Sequence, residues 1–199
     1  MPCGTSKPRD DVRTRQFILP SVVFVGLLLL AGGPIQGNER ATETATFGAG
    51  CFWGVESAFR QVKGVTDTMV GYMGGTLKNP TYEQVSTHRT GYSEVCRVTY
   101  DPARVSYEKL VQVFFQLHGP DFFCVRDSGS VGQYGSVIYF HNADQERTAQ
   151  AVRDKLQASG GFDRPITTAI VPASEFWRAE EYYQRYAEKH HLASCQITP

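Results

Sequence analysis

No two of the five cysteines in this 199-residue chain lie close together: Cys3, Cys51, Cys96, Cys124 and Cys195 are at least 28 positions apart. That spacing excludes zinc knuckles and CxxC dithiols, so each thiol has to be judged alone. Neither sign of charge is in excess, with 20 basic and 20 acidic residues and a formal net charge of +0. A nucleic-acid binder that works by neutralising phosphates is therefore not expected. Internal repeats are also missing. With 41% hydrophobic and 20% charged residues, the composition is that of a globular domain and excludes disorder, collagen-like sequence and coiled coil.

There is one long apolar run, FILPSVVFVGLLLLAGG at 17–33, preceded by Lys7, Arg9, Arg13 and Arg15. A basic region followed by an apolar one is the layout of an export signal, and 17 residues is the lower limit for spanning a bilayer core. Residues 1–37 are expected to be a signal peptide, cut after Gly37, or an N-terminal membrane anchor; a buried core helix is the alternative. The expected location is exported, either periplasmic or anchored in the cell envelope. Removing 1–37 leaves 16 basic and 18 acidic residues in 38–199, so the neutral total hides a slightly acidic domain. That remainder is the size of one domain, with no need of disulfides to fold.

Along 38–199, alternation and helical spacing predict strands at 43–50, 65–75, 93–101, 136–141 and 167–173. Helices are predicted at 52–62, at 107–117 behind Ser106, and at 143–158 behind Asn142, with Gln145 at the capping-box position. One helical turn fits Tyr82–Val85, and a last helix of about 15 residues is expected behind the cap Ser174. The tail 190–199 is polar and irregular. The order of elements predicts an α+β two-layer sandwich, mostly antiparallel, with a split βαβ, ferredoxin-like core.

The stretch GAGCFWG (48–54) places Cys51 among three glycines at a strand-to-helix junction. A thiol there faces the positive end of the helix dipole and unpaired N–H groups, which stabilise the thiolate. Gly50 lets another molecule approach the backbone, and Phe52 and Trp53 put apolar faces beside the sulfur. Two readings stand on the residues alone: a nucleophile beside a small apolar pocket, or a buried Cys packed between aromatics.

GCFWG resembles the active-site motif of the peptide-methionine (S)-S-oxide reductases, the A class of methionine sulfoxide reductases. Further matches occur in the same order: GYMGG (71–75), NPTYEQV (79–85), TGYSEVCRVTYDPARVSYEKL (90–110), QYGSVIY (133–139) and EEYYQRY (180–186) with Cys195 beyond. The resemblance implies reduction of methionine-S-sulfoxide, free or protein-bound. Cys51 would be the nucleophile, left as a sulfenic acid. Glu94 would be the acid that protonates the sulfoxide oxygen, and Tyr82 and Tyr134 the phenols that hydrogen-bond it. Phe52 and Trp53 would wall the substrate methyl, with Gly50 beside them. Cys195 would be the resolving thiol, with Cys124 as second candidate, whereas Cys96 reads as a small core residue. No metal or organic cofactor is implied. The partners would be methionine sulfoxide and a thioredoxin-like external reductant, with no nucleic acid, and the chain is expected to be a monomer.

The loop 118–135 departs from the family pattern. Gly129 stands where the family has an Asp, with Asp127 two residues earlier; Gly135 replaces an Arg, and Tyr92 a His. The alternatives are a module that binds methionine or its sulfoxide without turnover, and a general thiol oxidoreductase. The missing CxxC counts against the second.

Overall fold

The computed structural model describes residues 41–117 and 132–192. The expected export segment 1–37, most of the loop 118–135 and the tail from 193 lie outside the described residues.

The chain runs β1 (Glu43–Ala49), α1 (Phe52–Arg60), β2 (Val65–Met73), α2 (Tyr82–Val85), β3 (Ser93–Tyr100), α3 (Tyr107–Gln116), β4 (Ser136–Phe140), α4 (Ala143–Ala158), β5 (Ala169–Pro172) and β6 (Trp177–Arg178), then a 3-10 turn (Glu181–Tyr183) and α5 (Tyr186–Lys189). The strands form one six-stranded sheet in the order β5-β4-β1-β3-β2-β6. The β4–β5 pair is parallel and the other pairs are antiparallel, so the fold is α+β around a mixed sheet.

Alternation along the central strands decides where the core sits. Ala45, Phe47 and Ala49 of β1 and Cys96, Val98 and Tyr100 of β3 share one fully buried face. Helices α1, α3 and α4 close over it with Val55, Phe59, Leu110, Phe114, Ala149 and Val152. Phe47 stacks on Phe59 at 4.8 Å and on Phe114 at 5.6 Å between ring centroids. Each such side chain removed from water contributes about 1.5–3 kcal/mol.

The expected caps form. Ser106 Oγ accepts from Lys109 N–H at 3.1 Å, and Asn142 Oδ1 from Gln145 N–H at 2.9 Å. The Gln145 side chain reaches back to His141 N–H rather than to Asn142, at 2.9 Å. Thr81 and Gln84 make a reciprocal capping box that starts α2 where the sequence predicts it. Among the described residues no helix is long and apolar enough to cross a membrane.

The expected long helix behind Ser174 is not there. Ser174 Oγ accepts from Gly74 N–H, and Trp177–Arg178 pairs with the outer edge of β2. Beyond it, Gln184 fills the same edge: its Oε1 accepts from Val70 N–H at 3.0 Å and its Nε2 donates to Val70 O at 2.9 Å. Arg185 adopts a left-handed φ of 53°, which breaks any continuous helix. An unpaired sheet edge offers this segment more than helix propensity does, because buried backbone groups must find partners.

Candidate active site

The site is built where β1 turns into α1. Gly50 has a φ of +82°, which the tight reversal needs and which a side chain would strain. Cys51 follows as the N-cap of α1 with extended backbone, exposed, its side chain making no capping bond. Its sulfur therefore stands at the positive end of a nine-residue helix.

Glu94 comes from the start of β3, on the helix-covered face and directly across from Tyr72 of β2. Its Oε2 accepts from the backbone N–H of Phe52 at 3.0 Å, which brings the carboxyl to the residue next to Cys51. Its Oε1 accepts from Gln133 Nε2 at 2.7 Å. Glu94 is only 1% exposed, and burial pushes its carboxyl above the usual range while the two donors pull it partly back. A carboxyl raised by burial holds its proton more readily than a solvent-exposed one, which suits it to the part of a proton donor.

Tyr134 sits in the turn 132–135, closed by Gly135 N–H to Gly132 O at 2.9 Å. The turn is pinned to β3 by Glu94 N–H to Gln133 O at 2.8 Å and by Ser93 Oγ to Gly132 O at 3.2 Å. The Tyr134 phenol is pushed up to about 12, first by burial, then by Glu94, by a hydrogen bond with Tyr82 and by Cys51. It thus stays a donor at neutral pH. Tyr82 opens α2, with its N–H bound to Glu180 Oε1 at 2.9 Å. Cys51, Glu94, Tyr82 and Tyr134, from four separate parts of the sequence, thereby share one neighbourhood.

An aromatic wall adjoins them. Phe52 is buried, with its ring 6.4 Å from Trp53, 6.0 Å from Tyr72 and 6.4 Å from Tyr82. The expected pair Phe52 and Trp53 is present, and the C-terminal segment extends it. Tyr186 stacks on Trp53 at 4.0 Å with planes 15° apart, and Tyr183 lies 4.6 Å from Tyr82. Glu180 ties this wall together by accepting from Tyr72 Oη at 3.0 Å as well as from Tyr82 N–H.

Five residues of this site were not singled out from the sequence: Gln133, Tyr72, Glu180, Tyr183 and Tyr186. All lie in motifs already noted, QYGSVIY, GYMGG and EEYYQRY, and that adjacency was the available signal. Cys96 is fully buried in the core and burial pushes its thiol well above the usual range, as befits a small core residue. Tyr92 is buried, donates its hydroxyl to Leu77 O and lays its ring on Gly75, so it braces the loop that leads to α2. Cys124, Cys195, Asp127 and Gly129 lie outside the described residues. Among the described residues no cluster of His, Cys, Asp and Glu is arranged to hold a metal ion.

A thiol at a helix N-terminus, beside a buried carboxyl and two phenols, defines the site of a thiol-based enzyme. Comparison with known proteins places it more narrowly. The sequence profile of "Peptide methionine sulfoxide reductase" matches residues 43–199. The peptide methionine sulfoxide reductase MsrA of Methanoculleus marisnigri is 53% identical over 159 residues, covering 79% of this chain and 96% of that protein. Two solved structures share the fold. Methionine sulfoxide reductase A of Corynebacterium diphtheriae has a TM-score of 0.66 and 35% identity over 79% of each chain. Reduced Mxr1 of Saccharomyces cerevisiae has a TM-score of 0.69 and 26% identity, covering 81% of this chain and 93% of that one. The chain belongs to the peptide methionine sulfoxide reductase family.

Proposed function

We infer that this protein reduces methionine sulfoxide, as the S epimer and either free or within proteins, to methionine. The observation that carries the mechanism is the contact of Glu94 with the N–H of Phe52, which sets a buried acid beside the thiol of Cys51. Phe52 and Trp53 receive the substrate methyl, and the Tyr82 and Tyr134 hydroxyls donate to the sulfoxide oxygen. The Cys51 thiolate attacks the sulfoxide sulfur while Glu94 delivers a proton to the oxygen. The substrate sulfur then carries both the Cys51 sulfur and the hydroxyl; the hydroxyl passes to the Cys51 sulfur, the S–O and S–S bonds to the substrate sulfur break, and methionine leaves with a regained lone pair while Cys51 is left as a sulfenic acid. A second thiol, Cys195 or else Cys124, then condenses with the sulfenic acid, which releases water and forms a disulfide. A thioredoxin-like dithiol supplies the two electrons and two protons that restore both thiols.

Two finer readings accompany this one. The order β4-β1-β3-β2 supports a ferredoxin-like core: α1 links β1 and β2 across β3, and α3 leads from β3 towards β4 across β1. The basic and then apolar order of residues 1–33, with a family match that begins only at 43, supports export to the cell envelope. In that space the reductant has to be an envelope thioredoxin-like protein.

The test is stereochemical. With excess dithiothreitol and a mixture of both sulfoxide epimers, the protein should consume one epimer and leave the other. Equal loss of both points to a general thiol oxidoreductase. Binding without methionine release points to a non-catalytic module.

A further inference from the structure

Building on the reading of Glu94 as the acid, we propose that Gln133 is the positioning residue that aims the Glu94 carboxyl and governs how readily it gives up its proton. The geometry separates it from a side chain that merely fills space. Gln133 is 2% exposed, and its Nε2 donates to Glu94 Oε1 at 2.7 Å, while its own carbonyl takes the Glu94 N–H at 2.8 Å. One residue thus grips the acid at both its backbone and its side chain. Phe52 N–H occupies the other carboxyl oxygen, so both oxygens are held by donors and neither can swing away.

The rest of the Gln133 amide is as telling. Its Oε1 is buried and finds no partner among the described residues. A glutamine placed for stability would satisfy both ends, since a buried orphan acceptor is unfavourable. This one keeps its NH2 group on the carboxyl and leaves the carbonyl end unmet. An amide N–H aimed at a carboxyl stabilises the charged form, against the burial that favours the neutral one. Two opposed influences on one buried acid give it a proton that it can both hold and deliver. The next residue, Tyr134, is carried by the same turn, so Gln133 sets the acid and the phenol in register.

The experiment measures the first half-reaction as a function of pH. Methionine release is followed in a single turnover with excess reduced enzyme and no reductant, for the wild type and for Gln133→Leu and Gln133→Glu. The limb that titrates Glu94 is the one absent from the pH profile of Cys51 alkylation. In Gln133→Leu that limb should move to higher pH by about one unit, as loss of one hydrogen bond to a charged group predicts. It should move further in Gln133→Glu, where two carboxyls compete for one proton. The Cys51 alkylation profile should not move in either variant. An unmoved limb in folded Gln133→Leu overturns the proposal, and so does a shift to lower pH, which would mean that the amide oxygen faces the acid. Glu94→Gln separates the two levels: a limb that survives in that variant overturns the acid assignment itself, whatever Gln133 does. Near-ultraviolet circular dichroism shows which variants are folded, and if Gln133→Leu is not, Gln133→Glu carries the same test.

Discussion

Glu56 and Glu94 are each 1% exposed, each accept two hydrogen bonds from other elements, and each have carboxyls pushed upward chiefly by burial. They nevertheless serve two different regions of the molecule. Glu56, in the middle of α1, accepts from Thr68 Oγ1 at 3.0 Å and from Arg185 N–H at 2.8 Å. It holds the left-handed turn at Arg185, and so the C-terminal segment, against α1 and β2. Arg60, one helical turn on, reaches Glu188 of the same segment at 2.5 Å. Glu94, from β3, instead reaches the N-terminal end of α1, beside an exposed thiol and two phenols. Burial and a raised proton affinity are therefore common to a latch and to the proposed acid. What separates them is what stands nearby: backbone and hydroxyl partners in one case, the exposed thiol of Cys51 and an aromatic wall in the other.

The largest effect that sharpens this contrast comes from replacing each carboxyl by its amide. Glu94→Gln should lower single-turnover methionine formation by about 10²–10⁴-fold, the usual share of a general acid. Glu56→Gln should leave that rate intact well below the melt and destabilise the fold by about 1–3 kcal/mol, the range for a lost buried hydrogen bond. Rate assays and denaturant titrations read the two outcomes, and a reversed pattern would break the comparison. Next in size, Tyr82→Phe and Tyr134→Phe together should slow the first step by about 10²-fold, with less loss for either alone. Single-turnover rates of the two variants and their double check it. The smallest effect is on pH dependence. A Glu whose folded pKa is raised binds more protons folded than unfolded, between the ordinary value of 4.5 and the raised one. In that window stability falls as pH rises. Relative to Glu94→Gln, the wild type should therefore lose stability as pH is raised from the ordinary value of 4.5 through the raised value of Glu94, as melts across a pH series would show.

What was legible in the sequence was local. Helix α2 was readable from Thr81 and Gln84, and α3 from Ser106 and the spacing of Leu110, Val111 and Phe114, because a cap and its periodic face lie within a few residues. The β1–α1 junction was readable from GAGCFWG for the same reason. The segment after Ser174 was not. Its pattern of Phe176, Tyr183 and Tyr186 fits a helix, but its partners are the edge of β2 and the side of α1, more than a hundred residues earlier in the case of Gln184 and Arg185. The site divides in the same way. Cys51, Glu94, Tyr82, Tyr134, Phe52 and Trp53 were legible through their motifs. Gln133, Glu180 and Tyr186 take their roles from contacts made only once the chain has returned: Gln133 on Glu94, Glu180 between Tyr72 and Tyr82, and Tyr186 on the indole of Trp53.

The central claim is that Cys51 takes the oxygen from methionine sulfoxide. It is tested most directly by mixing the fully reduced protein with one equivalent of methionine-S-sulfoxide without any reductant, then measuring methionine and mapping the oxidised cysteine by mass spectrometry. Methionine should appear at one per chain, with Cys51 found as a trapped sulfenic acid or in a disulfide, and Cys51→Ser should form none. Methionine formed while Cys51 stays free to alkylate, or methionine formed by Cys51→Ser, would contradict the account.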